Sequence, residues 1–185
     1  MLTASDFRRG NLFEMDGGIY IVVDFQHVKP GKGSAFVRTK IKNILTGVSL
    51  ERSFNTFDKF EEVHNDRKDM QFLYKEDDLW NFMDMESYEQ IAIDKETMGE
   101  TALQIVENMT CQVQFYKGKI IAVEPPMFVD LKVIDTEPAV PSEGAKTQYK
   151  PAKLETGLVI QVPIFINNDE TVRIDTRTNE YRERV

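Results

Sequence analysis

Two long strand-like runs separated by a turn rich in glycine and proline constrain the fold of this chain most strongly. The first run, residues 19–25, is β-branched and aromatic, and the second, residues 35–42, places its side chains alternately on two faces. The first composition is typical of a β-strand, and the alternation is that of a strand with one buried face. We therefore expect the two runs to pair as a β-hairpin with its turn between residues 27 and 35.

The turn of this hairpin is built to display one lysine. Pro30 fixes a backbone dihedral and removes an N–H, while Gly31 and Gly33 permit positive φ on either side of Lys32. The sequence therefore predicts that Lys32 projects from the tip of the turn. On turn chemistry alone, the same residues also describe an ordinary hairpin turn with a solvated lysine.

A nucleotide-binding phosphate loop is a second interpretation of the turn, and its spacing excludes it. Gly33 separates Lys32 from Ser34, and Gln26 stands where the upstream glycine of that motif belongs. No helical pattern follows the turn, whereas a phosphate loop leads into a helix. We reject a nucleoside-triphosphatase activity for this turn.

Further short strands and turn signals fill the rest of the chain. Residues 11–15 and 48–54 complete the set around the hairpin, which favours a small barrel. Residues 70–74, 79–83 and 90–93 are three more predicted strands.

One short helix is predicted after these strands, followed by a second hairpin. Asp94 is a candidate N-cap, and an apolar stripe follows it at helical spacing: Met98, Ala102, Ile105, Val106 and Met109. Residues 112–116 and 120–123 then form two strands around a Lys-Gly-Lys turn. Three strands, a helix and two strands match the OB-fold, a small barrel that often binds oligonucleotides.

The last third of the chain contains strands around one irregular stretch. Residues 128–134, 157–166 and 171–175 are strand-like, whereas residues 136–151 contain three prolines and show no periodicity. A loop of this length in a small domain is usually functional or mobile. We expect an all-β protein of three domains, with boundaries at residues 1–64, 65–127 and 128–185.

Charge is distributed unevenly along a chain whose net charge is −8. The three predicted domains carry +1, −7 and −2 in order, and residues 27–52 contain six Lys or Arg against one Glu. A basic loop and strand on an otherwise acidic protein suit a molecule that meets RNA at one end only.

Composition argues against several other classes of protein. The sequence contains no apolar run of membrane-spanning length and no signal-peptide pattern at Met1. Cys111 is the only cysteine and is expected to be a buried thiol, and the two histidines have no metal-ligand spacing. No nucleophile and base are paired. We expect a cytoplasmic protein with no catalytic residues, metal, cofactor or membrane contact.

The sequence resembles a known family over its whole length. The residues that carry the resemblance are Lys29-Pro30-Gly31-Lys32-Gly33-x-Ala35-Phe36-x-Arg38, Pro151-Ala152-x-x-Glu155-Thr156-Gly157, Val162-Pro163-x-Phe165, Asp175-Thr176-Arg177 and Tyr181-x-x-Arg184-Val185. They are similar to bacterial elongation factor P, the relative of the hypusine-containing translation factor of eukaryotes and archaea. The resemblance implies an SH3-like, KOW-type barrel followed by two OB-fold barrels, in an L-shaped molecule that mimics transfer RNA.

The resemblance also implies a function at the ribosome. Family members bind both ribosomal subunits beside the peptidyl-tRNA, between the peptidyl and exit sites, and stimulate peptide-bond formation at consecutive prolines. The tip that reaches the peptidyl-transferase centre would be formed by Lys29, Pro30, Gly31, Lys32, Gly33 and Ser34. Lys32 matches the lysine that commonly carries a covalent modification, so a lysine-modifying enzyme is an expected partner. We expect a monomer.

Candidate RNA contacts lie in two parts of the sequence. We assign phosphate contacts to Arg38, Lys40, Lys42 and Arg52, for which a solvated strand face is the alternative. Tyr181 and Arg184 either stack on or clamp RNA, or form a structural corner. The last candidates follow from the resemblance: Ser142-Glu143 stands where the family has a Gly-Asp pair facing messenger RNA at the exit site, and Asn168 stands where a glycine is common.

Composition alone also allows a scaffold that binds partners other than RNA. Two further alternatives to this function stay open. One is a general OB-fold RNA-binding protein, although the acidic middle domain lacks the basic groove that such a protein needs. The other is a factor-P-like paralogue without polyproline rescue, a group that usually lacks the lysine loop.

Overall fold

The computed structural model describes residues 1–140, 143–144 and 148–185. Within these residues the chain is almost entirely β, and helix is limited to three short segments: 3-10 turns at Ala4–Asp6 and Gly99–Leu103, and the helix α1 at Lys95–Met98. The prediction of an all-β protein is confirmed. No helix of the described part is both long and apolar enough to span a membrane.

The first sheet contains six strands in the spatial order β1-β6-β2-β3-β4-β5. Their bounds are β1 Leu2–Thr3, β2 Leu12–Met15, β3 Gly18–Val28, β4 Phe36–Asn43, β5 Ser49–Asn55 and β6 Lys59–Glu62. Asp16 and Gly17, with φ of +51° and +75°, form the two-residue turn between β2 and β3. This turn type matches the twist of the strands that it joins. Strand β6 falls in a segment that the sequence presents only as charged turns.

Five strands form the second sheet, in the order β11-β10-β7-β8-β9. Their bounds are β7 Asp66–Glu76, β8 Leu79–Asp84, β9 Gln90–Asp94, β10 Thr110–Tyr116 and β11 Lys119–Glu124. The strand, helix and hairpin order expected of an OB-fold is therefore present. Cys111 is buried in β10, as predicted, and burial raises the pKa of its thiol to about 12.

The third sheet has the order β14-β13-β12-β15-β16. Its strands are β12 Phe128–Thr136, β13 Tyr149–Leu154, β14 Val159–Pro163, β15 Thr171–Asp175 and β16 Glu180–Arg184. The edge strands β14 and β16 contact each other, so the sheet curls upon itself. Its core is aliphatic and includes the fully buried Leu131, Leu154 and Ile174.

The chain divides into two compact units. The first comprises residues 1–67 and 114–122, and the second comprises residues 68–113 and 123–185. The three sheets use residues 2–62, 66–124 and 128–184. The domain boundaries after residues 64 and 127 stay a prediction.

An aromatic core fills the first unit beneath the hairpin. Phe7 and Phe13 are fully buried and stack at 4.9 Å between ring centroids, and the ring of Phe54 meets each of them edge-on. Val37 and Ile41, the inward residues of β4, complete this cluster. Burial of several large rings supplies most of the favourable free energy of such a small unit.

The helix predicted after Asp94 is shorter than its apolar stripe indicates. The Asp94 side chain accepts a hydrogen bond from the Thr97 N–H at 2.8 Å, which is the expected N-cap. However, Gly99 adopts a φ of +55°, which ends the α-helix at Met98, and the following 3-10 turn ends at Leu103. Ile105 is buried although it lies outside any helix. The prediction of a helix that reaches Met109 is therefore wrong.

Candidate functional site

The lysine loop, residues 29–35, joins the two longest strands of the first sheet. Val28 at the end of β3 pairs with Phe36 at the start of β4, so the loop leaves the hairpin at a closed base. Residues 29–34 are all exposed. Within the described part of the chain, Lys32 makes no hydrogen bond and no ion pair. Its side chain is therefore available to an external partner.

The two glycines that flank Lys32 differ in conformation. Gly33 has a φ of +110°, a region that L side chains rarely adopt, whereas Gly31 does not need positive φ. Of the two glycines that permit positive φ beside Lys32, only Gly33 adopts it. The special geometry of the loop depends on Gly33, which lies immediately before Ser34.

Three of the candidate RNA contacts share one face of β4. Arg38, Lys40 and Lys42 alternate with buried residues that face the core, and Arg38 and Lys40 are exposed while Lys42 is half-buried. Lys40 stands between Asp24 of β3 and Glu51 of β5 in the strand register. The Asp24 carboxylate is bound by the Arg9 guanidinium at 2.8 Å, so Glu51 is the neighbouring carboxylate that offsets the charge of Lys40. Arg38 has only neutral neighbours across the strands, Gln26 and Ser53.

Arg52 does not belong to this basic face. It pairs with Thr39, a buried residue of β4, and directly paired residues point to the same side of a sheet. Its Nη1 lies 3.1 Å from Asp16 Oδ2 and 3.1 Å from the sulfur of Met15. The register therefore places Arg52 on the opposite side of the sheet from Arg38 and Lys40, where a carboxylate already binds it.

Tyr181 and Arg184 are both engaged within the third sheet. Tyr181 is half-buried against the aliphatic core, and this burial raises the pKa of its hydroxyl. Arg184 donates to Glu170 at 3.2 Å, and its guanidinium lies 5.6 Å from the centre of the Phe165 ring. These contacts are those of a structural corner, which was one of the two interpretations of these residues.

The candidate messenger-RNA loop lies partly outside the described residues. Ser142 is not among them, while Glu143 is an exposed turn residue beside Gly144.

The substitution of Asn168 for a glycine has a clear local outcome. Positive φ falls on the next residue, Asp169, at +68°, and the Asn168 Oδ1 accepts a hydrogen bond from the Thr136 N–H at 2.8 Å. The turn is therefore formed without a positive φ at Asn168 itself.

A buried ion cluster in the third sheet was not evident from the sequence. Asp175 is fully buried, and its carboxylate accepts hydrogen bonds from the Arg177 guanidinium at 2.7 and 3.0 Å and from Arg182 at 2.9 Å. The hydrogen bonds from Arg177, followed by those from Arg182, hold the pKa of Asp175 well below its usual range. The Asp-Thr-Arg motif signals this cluster only after the β15–β16 turn is known.

Aromatic side chains close to the lysine loop were also missed. Phe25 of β3 meets the ring of His27 edge-on at 5.6 Å, and the Arg8 guanidinium lies 5.6 Å from the centre of the Phe25 ring. Phe57, in the turn after β5, is 83% exposed. A single aromatic residue in a polar turn gives no periodic signal, so only the structure shows that it is displayed rather than packed.

Three family models match successive parts of the chain. The elongation factor P KOW-like domain matches residues 3–60, the elongation factor P OB domain matches residues 65–123, and the elongation factor P C-terminal model matches residues 129–184. The chain belongs to the elongation factor P family. The KOW-type and OB folds that the resemblance implied are therefore confirmed, and so is a place in translation elongation.

Individual relatives of the elongation factor P family agree over full length. The proteins named elongation factor P from Ruminiclostridium cellulolyticum and from Caldanaerobacter subterraneus are each 54% identical to this chain, with 100% of both chains covered. A solved structure of eukaryotic translation initiation factor 5A from Methanococcus jannaschii matches 66% of this chain and 92% of its own at 26% identity, with a TM-score of 0.39.

Proposed function

We propose that this elongation factor binds the ribosome beside the peptidyl-tRNA, between the peptidyl and exit sites, and stimulates peptide-bond formation at consecutive prolines. The observation that carries the proposal is the placement of Lys32. It is an exposed, unengaged cation at the tip of a hairpin whose base is closed by Val28 and Phe36. Membership of the elongation factor P family indicates that such a tip acts in translation elongation.

The proposed role of Lys32 is to position the peptidyl-tRNA. Proline has a fixed φ and a constrained ring, so it restricts the geometry in which the peptide is transferred. Holding two reactants in a productive geometry accelerates a reaction without any bond chemistry by the helper. An ammonium group that donates to phosphate or sugar oxygens forms charge-assisted hydrogen bonds, which are stronger than neutral ones. The protein itself is then not an enzyme.

A covalent extension of Lys32 fits this role. The side chain is exposed, so a lysine-modifying enzyme can reach it without unfolding the hairpin. An extension that adds hydrogen-bond donors would lengthen the reach of the tip towards the peptidyl-transferase centre. We propose that the active form is a cytoplasmic monomer modified at Lys32, with the ribosome, peptidyl-tRNA and messenger RNA as its partners.

Substitution of Lys32 tests the proposal. We expect Lys32→Ala and Lys32→Arg to abolish the stimulation of a reporter that contains consecutive prolines, while a reporter without them is unaffected. Lys95→Ala is the control, because it removes an exposed cation that lies outside the loop and should retain most of the activity. All three variants should melt within about 2 °C of the wild type, because exposed turn residues contribute little to stability.

Two results would contradict the proposal. Full activity of Lys32→Ala would remove the lysine from the mechanism, and a large fall in its melting temperature would show that Lys32 is structural. Peptide mass spectrometry of the protein from its native host tests the modification separately. An added mass on Lys32 is expected, and an unmodified Lys32 in fully active protein would exclude the covalent extension.

A further inference from the structure

Phe57 is the most exposed large hydrophobic side chain in the described part of the chain. It is 83% exposed, whereas the neighbouring aromatic residues Phe54 and Phe60 are buried and half-buried. Exposure of one large apolar ring costs hydration free energy and gives the fold nothing in return. An exposed ring of this size is typical of a contact with a binding partner.

The turn that carries Phe57 is held rigidly. Within the turn, the Asn55 N–H donates to Asp58 Oδ2 at 2.9 Å, the Phe57 N–H donates to Asn55 Oδ1 at 3.1 Å, and the Asp58 N–H donates to the Asn55 carbonyl at 3.0 Å. The N-terminal segment braces it from outside, since the Ser5 N–H donates to the Thr56 carbonyl at 3.2 Å. The ring is therefore presented by an ordered backbone, which reduces the entropy lost when it binds a partner.

The strand register places this turn at the same end of the sheet as the lysine loop. Val28 pairs with Phe36, and Phe36 pairs with Asn55, so the two loops leave the sheet from one row of residues. Paired residues on neighbouring antiparallel strands have Cα atoms about 5 Å apart. The other exposed apolar residues near β4 and β5, Leu45 and Val48, lie in the turn at the opposite end.

The surroundings of Phe57 favour a nucleobase over an apolar protein surface. A stable protein interface buries about 800 Å² on each partner, whereas one aromatic side chain supplies about 150–250 Å². The exposed charged residues around this end of the sheet include the cations Lys29, Lys32 and Lys59 and the anion Asp58, whose carboxylate accepts a hydrogen bond from the Asn55 N–H. An isolated aromatic ring among cations is the arrangement by which proteins bind unpaired bases, with stacking on the ring and charge on the backbone.

We infer that Phe57 is a stacking platform for one unpaired nucleobase of the RNA that the lysine loop approaches. The inference rests on the proposed function, because it takes the RNA partner of Lys32 as given. The inference adds a second RNA contact from a separate turn. Phe57 would hold a nucleotide next to the one that Lys32 contacts.

Three substitutions at Phe57 separate stacking from general apolar contact. Phe57→Ala removes the ring, Phe57→Leu keeps apolar volume without a π-face, and Phe57→Trp enlarges the π-face. The full-length chain is titrated onto ribosomes stalled at consecutive prolines, and onto ribosomes without peptidyl-tRNA. We expect the alanine and leucine variants to raise the Kd about tenfold and the tryptophan variant to leave it unchanged or lower it. Melting temperatures should not move, because the ring is exposed.

The Phe57→Trp variant also provides a direct spectroscopic signal. Trp80, the one native tryptophan, is 5% exposed and supplies a background that the wild type measures. Stacking of a base on the introduced indole ring should quench its fluorescence when ribosomes bind. If Phe57→Ala loses affinity only for ribosomes that carry peptidyl-tRNA, the stacked base belongs to the tRNA. If it loses affinity for ribosomes with and without peptidyl-tRNA, the base belongs to ribosomal RNA.

Several results would overturn the inference. Affinity retained by Phe57→Leu but lost by Phe57→Ala would identify an apolar protein surface as the partner. Wild-type affinity for all three variants, or unquenched fluorescence of ribosome-bound Phe57→Trp, would show that the ring touches no base. Lys32→Ala, assayed alongside, separates the two proposals: if it still abolishes rescue while Phe57 is silent, only this inference fails.

Discussion

Asp175 is a charged side chain in an unusual environment. It is a fully buried carboxylate that is balanced by two guanidinium groups, each about half exposed. Removing the charge from such a carboxylate leaves two cations without their shared partner. We expect Asp175→Asn to lower the free energy of unfolding by about 2 kcal/mol at neutral pH, measured by urea denaturation.

The control for Asp175 is a similar pair on the same sheet that differs in burial. Asp130 receives two hydrogen bonds from Arg173, at 2.8 and 3.1 Å, but both side chains are 39% exposed. Asp130→Asn should cost about 1 kcal/mol or less, because exposed ion pairs contribute little. If Asp175→Asn and Asp130→Asn lowered the free energy of unfolding equally, burial would not determine the strength of the Asp175 cluster.

Acid should reduce the contribution of Asp175 to stability. Its pKa is lowered in the folded state, so its stabilising effect is complete above the ordinary carboxyl pKa of about 4 and is lost as the pH falls towards the folded value. The difference in unfolding free energy between wild type and Asp175→Asn should therefore narrow by about 1 kcal/mol between pH 7 and pH 3. A difference that stays constant over this range would contradict the assigned pKa direction.

Single residues differ in how far the sequence predicts their surroundings. The exposure of Lys32 follows from turn chemistry, because proline and two glycines in seven residues leave no strand or helix to cover it. Arg52 was misplaced because its side of the sheet depends on the pairing of β4 with β5. The Asp175 cluster was missed because its arginines converge only after the chain reverses between β15 and β16.

At the scale of elements, the two glycines of the lysine loop differ in backbone conformation. A Cβ added at Gly31 would meet nothing within 4 Å, and its φ is ordinary, whereas Gly33 has a φ of +110°. Placing an L side chain in that region costs about 1–2 kcal/mol, which the loop can relieve only by changing shape. We expect Gly33→Ala to displace Lys32 and lower polyproline stimulation about tenfold, with Gly31→Ala near wild type.

Both variants replace one glycine of the loop by alanine. A difference between their activities therefore reports the cost of a side chain at the positive φ of Gly33. Reporter activity is read together with the melting temperature, which should fall by no more than a few degrees for Gly33→Ala. If the two variants were equally active, the backbone conformation at Gly33 would not be needed for the function of Lys32.

Helical periodicity was the least dependable signal for an element. The stripe from Met98 to Met109 predicts a helix of three turns, yet Gly99 ends the α-helix after four residues. Buried side chains such as Ile105 stand outside the helix because irregular chain packed on a core also buries residues every third or fourth position. Strands were predicted better, since a two-residue period and turn residues such as Asp16-Gly17 give independent signals.

At the scale of the whole molecule, the charge pattern separates a basic strand face from an acidic remainder. The count of six cations against one Glu in residues 27–52 overstates that face, because this Glu lies directly opposite Lys40 and Arg52 points to the other side. Arg38 and Lys40 remain the exposed cations of β4. The sequence could not give this correction, because a count along the chain ignores which charges meet across strands.

Salt dependence of ribosome binding tests this face. Each cation that neutralises a phosphate adds about 0.7–0.9 to the slope of log affinity against log salt concentration. The double variant Arg38→Ala/Lys40→Ala should therefore lower that slope by about 1–2 between about 50 and 200 mM salt. The control is Lys95→Ala/Lys153→Ala, which removes two exposed cations from other parts of the chain and leaves β4 intact. If both double variants change the slope equally, net charge steers binding and β4 has no specific role; if neither does, the β4 face does not meet RNA.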